Sequence, residues 1–196
     1  MKMTISLLQA YDWYKECPPD WRDKAEQQII GQLNKEPFDN TAVARGQAYE
    51  DEVCKALLTG GEVHPELECL RGMRQQAWLQ AYTIKGYTFR GKMDFDNADK
   101  IVDLKTTGKY NMRSYIGKKQ HKVYGLAENK TLFTYKVAVF NTPTGLTPTS
   151  IQTIDLTLDL KECEKEISTA VTEFEWWLKA KNLWDLYFNT YNGGVA

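Results

Sequence analysis

The chain has 196 residues, 42% of them hydrophobic and 26% charged, with a formal net charge of −1. That length and apolar share suit one domain spanning 1–196 with a substantial core, and the near-neutral balance excludes a general polyanion binder. No apolar run reaches the length of a membrane span and the first residues lack a signal-peptide core, which points to no membrane partner and a cytoplasmic setting. Cys17, Cys54, Cys69 and Cys163 are scattered without Cys-x-x-Cys spacing and are expected to be reduced thiols, while His64 and His121 offer no metal-ligand spacing.

In chain order, Thr4 opens a helix through Tyr14, Cys17-Pro18-Pro19 breaks it, and a second helix runs from Trp21 to Leu33. A polar, Pro-containing connection over 36–40 leads to a helix across 44–58, where Val53, Ala56 and Leu57 recur at helical spacing and Gly60-Gly61 marks the stop. Glu50 lies early in that helix. With Asp51 and Glu52 it complements the positive helix N-terminus, or it points a carboxylate toward the strands that follow. Strands are expected over 75–84, 87–95 and 101–104, a helix over 111–129, a strand over 132–140, a loop over 141–149 and a strand over 151–158. A last helix over 160–187 carries an apolar stripe of Ile167, Val171, Phe174, Leu178 and Trp184, read as core or oligomer contact. No repeat, low-complexity tract or interdomain linker is visible.

The chemistry concentrates in the two strand-like runs flanking Asn97-Ala98-Asp99-Lys100, which read as a hairpin. Alternation puts Asp103 and Lys105 on one face, and Asp94 and Asp96 on one face. Pairing the strands brings Asp94 close to Asp103 with Lys105 beside them. Two carboxylates and an ammonium on a sheet rim suit divalent-metal hydrolysis, with Asp96 ranked second as a ligand. Taken alone, Asp–Lys pairs on exposed strand faces usually mean only weak ion pairs.

Downstream, Gln120 and Tyr124 share one helical face. From Lys105 through Ala127 there are six basic residues (Lys105, Lys109, Arg113, Lys118, Lys119, Lys122), plus His121, and no acidic residue. Such a patch beside the acidic strands suits a phosphate backbone, and Tyr110 and Tyr115 within it offer base stacking or packing. The acidic segment Asp159 to Glu175 is expected to face away from it.

Four motifs therefore occur in order: Gly-x-x-x-Glu ending at Glu50, Gly-x-x-Asp ending at Asp94, Asp103-x-Lys105, and Gln120-x-x-x-Tyr124. Together, over about 44–124, they resemble the PD-(D/E)xK nuclease superfamily, in its RecB-type and phage-exonuclease branch. Glu50 stands where many RecB relatives have His, which leans toward the lambda-exonuclease and YqaJ-like enzymes.

The resemblance implies an α/β fold with a restriction-endonuclease-like core, a central mixed β-sheet flanked by helices, and added elements to about residue 190. It implies a Mg²⁺- or Mn²⁺-dependent DNA exonuclease, of a kind met in phage or prophage recombination and end processing. Glu50, Asp94, Asp103 and the Leu104 carbonyl would hold the metal, and Lys105 would be the catalytic lysine. Gln120 and Tyr124 would contact substrate, alongside Lys109, Arg113, Lys118, Lys119 and Lys122. A single-strand annealing protein and a ring-like homo-oligomer are the partners such enzymes suggest, in a bacterial or phage-infected cell. Some RecB-type relatives carry an iron–sulfur cluster on an early Cys and a C-terminal Cys trio. Cys17-Pro18 resembles the first element but no trio follows, so no cluster is expected. The alternatives are a silent DNA-binding protein on this scaffold and a structure-specific endonuclease. A paired-carboxylate glycosidase leaves Lys105 and the basic helix without a role.

Overall fold

The computed structural model describes residues 1–37, 41–142 and 145–193. A five-stranded sheet forms its centre, in the order β2 (Arg74–Trp78), β5 (Lys92–Asp96), β6 (Lys100–Thr107), β7 (Leu132–Val139), β8 (Ser150–Thr157). Only the β6–β7 pair is parallel; the others are antiparallel. A parallel pair needs a crossover, and the helices α4 (Arg113–Ile116) and α5 (Gln120–Glu128) supply it. That crossover places the basic segment directly after the strand bearing Asp103 and Lys105.

The helices α1 (Ile5–Glu16), α2 (Arg22–Leu33) and α6 (Leu160–Ala180) share one apolar core with α5 and β7, including Leu7, Ile29, Val123, Tyr135, Val171 and Phe174. The helix α3 (Thr41–Thr59) closes a second core with Tyr49, Val53, Leu67, Phe95, Leu104 and Phe140. Caps set the ends of these helices. The Thr4 hydroxyl accepts the Leu7 N–H at the start of α1, and Asp159 accepts the N–H groups of Lys161 and Glu162 at the start of α6. At the other end of the chain, Asn192 Oδ1 accepts the Lys2 N–H at 2.5 Å, and the Tyr187 hydroxyl donates to the Lys2 carbonyl.

The structure divides several expected elements. Residues 75–84 and 87–95 each contribute to two sheets. The strands β3 (Tyr82–Ile84) and β4 (Tyr87–Phe89) form a small sheet with β1 (Lys2–Met3). Lys85 and Gly86, at φ 52° and 79°, make the two-residue turn joining β3 to β4, a conformation that matches hairpin twist. The expected helix over 111–129 is interrupted between Ile116 and Gln120, and the last helix ends at Ala180 before a π-helical turn at Leu186–Tyr191. The expected hairpin at 97–100 is present: Asn97 Oδ1 accepts the N–H groups of Asp99 and Lys100, both at 2.9 Å. Parts of the connections at 36–40 and 141–149 lie outside the described residues. Among the described residues no helix is long and apolar enough to cross a membrane.

Candidate active site

The strands β5 and β6 pair at Asp96–Ile101 and Phe95–Val102. Just beyond, the Asp94 carboxylate takes the place of backbone: its Oδ2 accepts the Leu104 N–H at 2.7 Å. Asp103 is 1% exposed, and its Oδ1 accepts from Gln120 Nε2 at 2.7 Å. Its Oδ2 lies 2.5 Å from Lys105 Nζ but makes no aligned hydrogen bond. A buried carboxylate oxygen with a free lone pair is the kind of donor a hard cation takes.

The motif glycines have a steric reason. A Cβ on Gly46 would stand 3.1 Å from Thr106 Oγ1, so its absence lets α3 approach the end of β6 and set Glu50 one helical turn on. A Cβ on Gly91 would stand 2.9 Å from Leu79 Cδ1 and 3.0 Å from the Tyr124 hydroxyl. Tyr124 uses that clearance to donate to the Lys92 carbonyl at 3.0 Å, bracing the strand that carries Asp94.

Burial and mutual repulsion dominate the electrostatics. Desolvation, then the Asp103 charge, hold the Asp94 carboxyl well above the usual carboxylate range. Glu50 is raised by burial first, with Lys105 opposing. Burial works against the Lys105 ammonium, yet Asp103 and Asp94 outweigh it and keep its pKa above the ordinary lysine value. Glu50, Asp94, Asp103 and Lys105 thus form one interacting group. Among the described residues, however, no three His, Cys, Asp or Glu side chains already stand as a cation cage.

Other candidates are spent elsewhere. Asp96 does not join the site: it is clasped by Arg74, with two bonds of 2.8 Å, and by Lys130 at 2.9 Å. Lys122 pairs with Glu166 on α6, so that acidic helix meets the basic segment rather than turning away from it. Lys119 lies 3.7 Å from Asp12, and Lys118 sits over the Tyr115 ring at 4.7 Å. Lys109 and Arg113 are exposed. Tyr115 and Tyr124 are buried, so neither presents a face to substrate, and Tyr115 cannot stack on a base. His121 is also buried, bonded to the Tyr135 hydroxyl at 3.1 Å, and desolvation pushes its pKa down to about 4, so it adds no charge to the patch. Sequence reasoning missed Gln76 and Lys92. Gln76 Nε2 donates to Glu50 Oε1 at 3.2 Å, and Lys92 Nζ donates to Gln76 Oε1 at 2.6 Å.

A five-stranded mixed sheet flanked by helices in this arrangement is a nuclease fold. The alkaline exonuclease LHK-Exo from Laribacter hongkongensis superposes with a TM-score of 0.52 at 16% identity, over 92% of this chain and 93% of that one. A provisionally assigned exonuclease from Eubacterium rectale gives 0.62 at 17% identity, over 100% and 83%. A phage-related exonuclease from Haemophilus somnus gives 0.51 at 12%, over 92% and 96%. At this identity the likeness establishes the fold. No protein-family model matches the chain, and no curated protein matches it in sequence.

Proposed function

We propose that this protein is a divalent-cation-dependent deoxyribonuclease, acting as an exonuclease. The observation that carries the reading is the meeting of Asp94, Asp103 and Lys105 where β5 and β6 part, with Glu50 facing them from α3. Solved exonucleases are among its neighbours in fold, and LHK-Exo has been solved with dAMP bound.

Glu50, Asp94 and Asp103 would hold Mg²⁺ or Mn²⁺. The Leu104 carbonyl would join them, since in a strand it points to the same side as the N–H that Asp94 accepts. The ion, when bound, supplies charge neutralisation at the phosphate and a more acidic water. Gln120 fixes Asp103 by one oxygen and leaves the other to the site. Lys105 gives up its contact with Asp103 and orients the attacking water or meets charge developing on the phosphate. Exposed Lys109 and Arg113 receive the backbone.

Labelled DNA with and without Mg²⁺ tests this, using the unchanged protein, Asp103→Asn and Lys105→Ala. Cation-dependent release of nucleotides by the unchanged protein is expected, with a loss of at least roughly 100-fold in each variant. Full activity in both folded variants removes this site from consideration. Cleavage of covalently closed circles would make the enzyme an endonuclease. A silent DNA-binding protein is the second reading, favoured by Lys105 lying against Asp103. It requires no divalent-ion heat in calorimetry.

A further inference from the structure

Gln76 is the break in an otherwise regular edge strand. β2 pairs with β5 at Arg74–Asp96, Gln75–Phe95, Ala77–Met93 and Trp78–Lys92, and the register passes over Gln76, whose counterpart on β5 is Asp94. Its φ is 50°, the left-handed region that a side chain longer than Asn rarely occupies. Strain of this kind persists where surrounding contacts over-determine it, and it gathers at functional sites. The contacts here are specific. Lys92 has only hydrogens to give, so the amide oxygen of Gln76 faces it at 2.6 Å and the amide nitrogen is left to face Glu50 at 3.2 Å.

We infer that Gln76 is a positioning residue for Glu50: it holds one carboxylate oxygen, keeps Lys92 from pairing with Glu50, and so leaves the second oxygen to a divalent cation. The inference rests on Glu50 being a ligand, as proposed above. An amide between an ammonium and a carboxylate satisfies both without letting them neutralise each other. Removing it frees Lys92 to swing onto Glu50 and compete with the ion.

The test is calorimetric titration of Mn²⁺ into the unchanged protein, Gln76→Gly, Gln76→Asn, Asp103→Asn and the double variant Gln76→Gly/Lys92→Met, with melting temperatures alongside. Glycine takes the left-handed backbone without steric strain, which offsets the freedom it adds to the unfolded chain, so Gln76→Gly is expected to melt within a few degrees of the unchanged protein. Its Mn²⁺ affinity is expected to fall about 10- to 100-fold, as for other residues that orient a ligand. Gln76→Asn, too short to span the gap, should lose affinity in the same direction, and the double variant should regain part of it. Mn²⁺ binding that disappears in Asp103→Asn but is unchanged in both Gln76 single variants overturns the role of Gln76 alone. No Mn²⁺ binding by the unchanged protein overturns it together with the nuclease reading.

Discussion

Asp94 carries an electrostatic cost in the site. Burial and the charge of Asp103 raise its pKa, so between the ordinary carboxylate range and that raised value the folded chain keeps a proton the unfolded chain has lost. Its contribution to stability is therefore complete at acid pH and is lost as pH climbs through the raised value. Asparagine imitates the neutral form and can still accept the Leu104 N–H. Asp94→Asn is expected to melt a few degrees higher at pH 8, since about 1 kcal/mol moves a domain of this size by roughly 2–4 °C. It is expected to release no nucleotide. A lower melting point would show that the charge supports the fold. The spacing of Asp94, Asp103 and Lys105 was legible because strand alternation and a short polar turn fix which side chains meet. Gln76 was not legible: nothing in Arg74-Gln75-Gln76-Ala77-Trp78 announces a left-handed backbone, which only the contacts to Glu50 and Lys92 impose.

At the scale of elements, α5 connects the site to the core. A Cβ on Gly125 would stand 2.5 Å from Leu158 Cδ1 and 2.8 Å from the Lys130 carbonyl oxygen. A side chain can yield; a backbone oxygen held by its neighbours yields little. Gly125→Ala is expected to cost about 1–3 kcal/mol in chemical denaturation despite alanine's better helix propensity. A gain in stability would mean that α5 is free to shift. Gly125 falls within the helix expected over 111–129 and nothing nearby in the sequence marks it, because its reason lies in segments more than thirty residues away as well as five. The same holds for the small sheet. Apolar alternation reports that 82–84 and 87–89 are extended but not which strand they join, and β1 is too short to carry a pattern of its own.

For the molecule as a whole, His121 ties stability to acidity. Its pKa of about 4, set chiefly by desolvation, lies below the ordinary 6.5. A depressed base contributes stability that is complete above 6.5 and drains away as pH falls toward 4, by roughly 3 kcal/mol in all. His121→Gln is expected to flatten the decline in unfolding free energy between pH 7 and pH 4.5; an unaltered slope would refute that assignment. The parting of β5 from β6 has a use of its own. The Leu104 N–H donates to a carboxylate oxygen, with N and O 2.7 Å apart. Its resonance should stand apart downfield in a proton–nitrogen spectrum and move when Mg²⁺ draws on Asp94, a built-in reporter that needs neither substrate nor label beyond nitrogen-15.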